Sequence, residues 1–177
     1  MRIIGINGIR CYDCPVLRRL RPAFEREFAP DEYVIEEDTG CGVWQLSRMR
    51  RFTQELREKY DDGSTLLLVG YSMGGIQACS VAVGLTRSKV AGIVTIFAPH
   101  TMFAGIFTRT IGTVQLPQIP IISFHGARDP YVRWGTRHPD SSVHIVLDSD
   151  HYRDLLQKPT LADTIARESK KVLYGAR

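Results

Sequence analysis

The sequence predicts an α/β fold, a mostly parallel sheet of about six strands with helices on both faces. Three observations predict it. Short apolar runs alternate with segments whose apolar residues recur at helical spacing, along all 177 residues. No internal repeat, low-complexity tract or linker interrupts that alternation, so residues 1–177 read as a single domain. One apolar run leads directly into Gly70-Tyr71-Ser72-Met73-Gly74, a G-x-S-x-G turn ahead of a small-residue helical segment.

Taken in order, residues 2–6 read as a strand whose apolar run is too short for a signal peptide. Residues 16–28 place Leu17, Leu20, Phe24 and Phe28 on one face of a helix. Residues 33–36 are a weaker strand, crowded by charges and therefore nearer an edge. Residues 43–60 show Met49, Phe52, Leu56 and Tyr60 at helical spacing. Residues 65–69 are the strand that enters the serine turn, and residues 75–83, small and apolar, suit a helix packed closely on a sheet. Strands follow at 90–97, 119–124 and 143–147. Thr160, with Asp163 three residues on, reads as the N-cap of a last helix whose Leu161, Ile165 and Val172 face the core.

Composition bounds the class. A hydrophobic content of 44% and a charged content of 24% are ordinary for a globular domain, and the formal charge of +4 is mild. The arginines cluster at Arg18, Arg19, Arg21 and Arg26, then at Arg48, Arg50, Arg51 and Arg57, which reads as the solvated faces of two helices. Without aromatic interleaving or a binding motif, they do not point to nucleic acid. No stretch has the length of a membrane span, and the expected location is cytoplasmic with reduced thiols.

Of four cysteines, Cys79 falls in the helix after the serine and reads as a small core residue. Cys11 and Cys14 form a C-x-x-C beside a helix start, with Cys41 on a later loop. A zinc site lacks a fourth ligand; a redox pair, a disulfide to Cys41 in an exported chain and plain free thiols stay open.

In a parallel α/β sheet, ligands sit beyond the carboxyl ends of the strands. Ser72 follows the third strand, Asp129 the fifth and His151 the sixth. A serine hydroxyl is a weak nucleophile and needs a base within hydrogen-bond reach. His151 would take its proton, and Asp129 would fix the imidazole tautomer and stabilise the imidazolium. Asp150 adjoins His151 in sequence, where ring and carboxylate rarely meet; Asp148, at the strand end, is the rival acid. The oxyanion would be held by the backbone N–H of Met73 and by one from the loop Asn7-Gly8-Ile9-Arg10, with Ile9 favoured over Arg10.

Asn7-Gly8, Gly70-Tyr71-Ser72-Met73-Gly74-Gly75, His125-Gly126-Ala127-Arg128-Asp129 and Asp150-His151 together resemble the α/β-hydrolase superfamily over the whole chain. The resemblance is to compact esterases and lipases without a large cap domain, and implies a minimal α/β-hydrolase fold. Two departures stand out: Asn7 replaces the commoner His-Gly of the first loop, and Ser149-Asp150 precedes the histidine where glycine is common. In that family lid insertions arise between the fourth and fifth strands, here residues 99–117. Met102, Phe103, Ile106, Phe107 and Ile111 would line an apolar acyl pocket or pack as an ordinary core helix, and His100 would border the site or cap a strand. Met102, Phe103 and Tyr71 are the expected substrate contacts.

The resemblance implies a serine hydrolase acting on a small-molecule carboxylic ester or thioester through an acyl-enzyme, with no metal or organic cofactor. Two other readings stay open. One is a binding protein that keeps the fold without catalysis; the other is a thiol–disulfide protein using Cys11 and Cys14.

Overall fold

The apolar runs assemble side by side into one sheet. The computed structural model describes residues 1–7, 15–37, 46–100, 119–130 and 141–175. Among these, the elements follow as β1 (Arg2–Ile6), α1 (Pro15–Phe28), β2 (Glu32–Glu36), α2 (Leu46–Tyr60), β3 (Thr65–Tyr71), α3 (Met73–Gly84) and β4 (Lys89–Ile96). They continue as β5 (Ile121–Gly126), β6 (Val143–Leu147), α4 (Arg153–Gln157) and α5 (Pro159–Tyr174). The strand order is β2-β1-β3-β4-β5-β6 and every pairing is parallel. The charge-crowded β2 lies at one edge, where its polar residues reach water.

Parallel strands need crossovers, which put helices on the faces and bury the strands from both sides. On one face Ile3, Val69, Ile96 and Phe124 pack with Leu17, Leu20 and Phe24 of α1, Leu155 of α4 and Ile165 of α5. On the other, Ile4, Leu68 and Ile93 pack with Phe52, Leu56 and Tyr60 of α2 and with Ala78 and Cys79 of α3. Each such aliphatic side chain contributes about 1.5–3 kcal/mol on full burial. The chain moves outward from β1 to β2 and then returns to β3 on the other side of β1. The strand order therefore reverses between β1 and β3, and α/β sheets open a crevice at such a reversal.

The expected elements are present, with differences at their ends. The last helix does not start at Thr160: Lys158 holds the cap position and Pro159 opens the helix. Proline suits the first helical position because its missing N–H has no partner there anyway. Strand β5 runs two residues past its expected end and takes in His125 and Gly126, which pair with Val146 and Leu147. Helix α4 was not expected; its five residues are too few to show an apolar period. Arg57 is not on a solvated face. It is half-buried, its Nη2 donates to the Ser80 carbonyl at 2.5 Å, and burial pulls the guanidinium below its usual pKa. The other seven clustered arginines are exposed. Residues 8–14, 38–45, 101–118, 131–140 and 176–177 lie outside the described residues, and with them Gly8, Ile9, Arg10, Cys11, Cys14, Cys41, Met102, Phe103 and most of the expected lid at 99–117.

Candidate active site

Ser72 stands between β3 and α3, at the reversal of strand order. Its φ of 53° and ψ of −125° lie in a region that costs a side-chain-bearing residue on the order of 1–3 kcal/mol. Close packing holds it there. A Cβ on Gly70 would come within 2.3 Å of the Gly74 carbonyl oxygen, and one on Gly74 within 2.1 Å of the Ile6 carbonyl oxygen. Backbone meets backbone at both places, so neither side can give way. The Ser72 N–H donates to the Ile96 carbonyl at 2.8 Å, and its own carbonyl accepts from Gly75 N–H at 3.0 Å. The serine thus sits at the N-terminus of α3, partly exposed, with no cap hydrogen bond from its side chain. Met73, the expected oxyanion donor, is the first residue of that helix. The partial positive charge of a helix N-terminus favours an anion at that position.

His151 and Asp129 come together from the far side of the sheet. Asp129 follows β5 in a tight turn, its N–H donating to the Gly126 carbonyl at 3.1 Å. Its side chain is fully buried, and Oδ2 lies 2.6 Å from His151 Nδ1. Asp148 and Asp150 are engaged elsewhere. Asp148 Oδ1 accepts from Arg128 Nε at 2.8 Å, while Asp150 Oδ1 accepts the N–H groups of Tyr152 and Asp154, both at 3.0 Å.

Two aromatic rings border the imidazole, Tyr71 at 5.4 Å and Phe97 at 5.8 Å between centroids. Tyr71 was expected at the substrate; the structure buries it, and its hydroxyl donates to the His151 carbonyl at 2.9 Å. The residue before the serine is thereby bonded to the histidine. Phe97 was read only as the end of a strand. It has a φ of 53°, rare for so bulky a residue, and its N–H donates to the Phe124 carbonyl at 2.9 Å. Two strained residues therefore flank the Ser72–Ile96 hydrogen bond, and nothing in residue type announced the second.

A charged network behind the histidine was also missed. Arg128 Nη2 reaches Asp154 Oδ2 at 2.8 Å, and Lys158 Nζ reaches Asp154 Oδ1 at 3.0 Å. The Asp154 carboxyl is held below its usual range first by the Lys158 hydrogen bond and then by the Asp150 N–H. The four-residue spacing of Asp154 and Lys158 was the available signal. His100 is buried just beyond β4, its N–H on the Ala98 carbonyl at 2.9 Å. Among the described residues no three His, Cys, Asp or Glu side chains are grouped as a metal ion would require. Cys79 is buried in α3 and forms no disulfide among the described residues.

Solved structures from the alpha/beta hydrolase superfamily share this fold over nearly the whole chain. One is a protein of Xanthomonas campestris pv. campestris described as a hydrolase of the alpha/beta superfamily. It superposes with a TM-score of 0.65 at 16% identity, covering 95% of this chain and 96% of its own. The RedJ thioesterase of prodiginine biosynthesis in Streptomyces coelicolor gives 0.62 at 16% identity, covering 96% of this chain and 85% of its own. An esterase of Pyrobaculum calidifontis gives 0.56 at 14% identity, covering 96% and 76%. No family model matches the chain, and no curated protein matches it by sequence. No helix among the described residues is long and apolar enough to cross a membrane.

Proposed function

We propose that this protein is a serine hydrolase that cleaves small carboxylic esters or thioesters through an acyl-enzyme. The observation that carries the reading is the 2.6 Å contact of His151 Nδ1 with a buried Asp129, on the residue whose carbonyl Tyr71 ties to the serine turn. That contact supports an imidazole with the proton on Nδ1 and Nε2 as the acceptor, as a general base requires. In the proposed reaction His151 Nε2 takes the Ser72 proton as Oγ adds to the carbonyl carbon. The Met73 N–H and that of Ile9 receive the oxyanion. Collapse breaks the bond to the alcohol or thiol, which leaves with the proton from His151. Water, deprotonated by the same imidazole, then adds to the acyl group and frees the acid and Ser72.

The likeness to thioesterases and an esterase supports an acyl substrate, and the apolar residues 102–111 support an apolar acyl group in contact with Met102 and Phe103. The test is hydrolysis of p-nitrophenyl esters from acetate to palmitate. Wild type is expected to turn over part of the series, and Ser72→Ala to lose at least about a thousandfold in kcat. Turnover that survives Ser72→Ala would overturn the assignment, as would failure of wild type both to hydrolyse any ester and to be labelled at Ser72 by a fluorophosphonate.

A further inference from the structure

The geometry points to Arg128 as a positioning residue that holds the histidine loop against Asp129; this rests on the hydrolase reading above. Arg128 immediately precedes Asp129 and reaches across to the other loop at four points. Its backbone N–H donates to the Ser149 carbonyl at 3.0 Å. Its guanidinium donates through Nε to Asp148 Oδ1 at 2.8 Å, and through Nη2 to the Asp148 carbonyl at 3.3 Å and to Asp154 Oδ2 at 2.8 Å. Asp154 Oδ2 in turn accepts the Asp150 N–H at 3.1 Å, and Asp150 Oδ1 returns the favour to the N–H groups of Tyr152 and Asp154. Residues on both sides of His151 are therefore fixed from one side chain, and that side chain sits next in sequence to the acid.

The energetic setting separates this role from fold maintenance. The Arg128 side chain is 54% exposed, and exposed ion pairs add little to global stability. Geometry is where it acts. A planar fork can serve a carboxylate, a carbonyl and a second carboxylate at once; an ammonium on a flexible stem cannot. Loosening the loop would let His151 drift from Asp129 by fractions of an ångström. Displacements of that order are costly to a reaction that needs aligned groups.

The experiment compares wild type with Arg128→Lys, which keeps the charge, and Asp154→Asn, which keeps the shape. Three quantities are read: kcat and KM for p-nitrophenyl butyrate, the active fraction by fluorophosphonate titration, and the low-field proton resonance of the His151 Nδ1–H. Each variant is expected to lose about tenfold in kcat with KM within about twofold and an unchanged active fraction. The low-field resonance should broaden or vanish in both. The double variant should be no worse than the poorer single one, since both changes cut the same clamp. An unchanged kcat with an unchanged resonance would overturn the proposal. So would a loss of activity fully accounted for by fewer active molecules. Should wild type neither hydrolyse any ester nor be labelled at Ser72, the hydrolase reading fails, while the resonance in Arg128→Lys still decides whether Arg128 sets the His151–Asp129 geometry.

Discussion

The backbone of Ser72 stores conformational energy that its side chain justifies. A glycine at that position would adopt a φ of 53° without the Cβ penalty, whereas alanine keeps it. Ser72→Gly is therefore expected to raise the unfolding free energy by about 1 kcal/mol, with Ser72→Ala close to wild type. Urea denaturation of the three proteins checks this. Equal stability of the glycine and alanine variants would mean that the surrounding packing, and not the Cβ, sets the conformation. At the same scale, the residues that the sequence made readable were those standing alone after a strand. Ser72, Asp129 and His151 follow β3, β5 and β6 within a few residues, so their place at the carboxyl ends of the strands could be read from strand order. Phe97 and Tyr71 were less readable. A left-handed phenylalanine has no signature in residue type, and Tyr71 carries an aromatic ring that would serve a ligand as well as a backbone carbonyl.

Elements were legible where their burial pattern was simple. β1 and β3 are covered from both sides and read as unbroken apolar runs, while α1 and α5 show one apolar stripe each. Legibility failed where polar contacts decide the structure. α4 is held by Asp150 and Asp154 through backbone N–H groups, and α5 begins on Pro159 instead of a capping hydroxyl. A further polar contact binds elements together at the other end of the molecule. Asp61, at the end of α2, accepts the N–H groups of Thr86, Arg87 and Ser88 and the hydroxyl of Thr86. These bonds, that of Ser88 foremost, hold its carboxyl far below the usual value; Asp62, bonded by Ser64, is held at about 2. Both folded values are depressed. Their contribution is therefore complete above the unfolded carboxylate pKa of roughly 4 and is lost as pH falls toward the folded values. The thermal midpoint is expected to drop between about pH 4 and pH 2, and to drop less in Asp61→Ala. A variant with the same acid slope as wild type would show that other carboxylates carry the effect.

At the scale of the whole molecule, the serine and its partners arrive from different parts of the chain. Ser72 lies between β3 and α3, Asp129 and His151 follow β5 and β6, and β4 lies between them. The Ile96 carbonyl holds the Ser72 N–H, and the next residue, Phe97, is held in turn by Phe124 of β5. Those two bonds make the state of the serine a report on sheet completion. Until β5 docks, Phe97 lacks its bond to the Phe124 carbonyl, and the Ser72–Ile96 bond lacks that support. In a refolding experiment the elbow should thus behave as a clock that strikes last. Labelling by a fluorophosphonate is expected to return more slowly than far-ultraviolet circular dichroism, because parallel pairing distant in sequence closes late. Labelling that returned together with the first helical signal would mean that a chain lacking β5 and β6 already shapes its nucleophile.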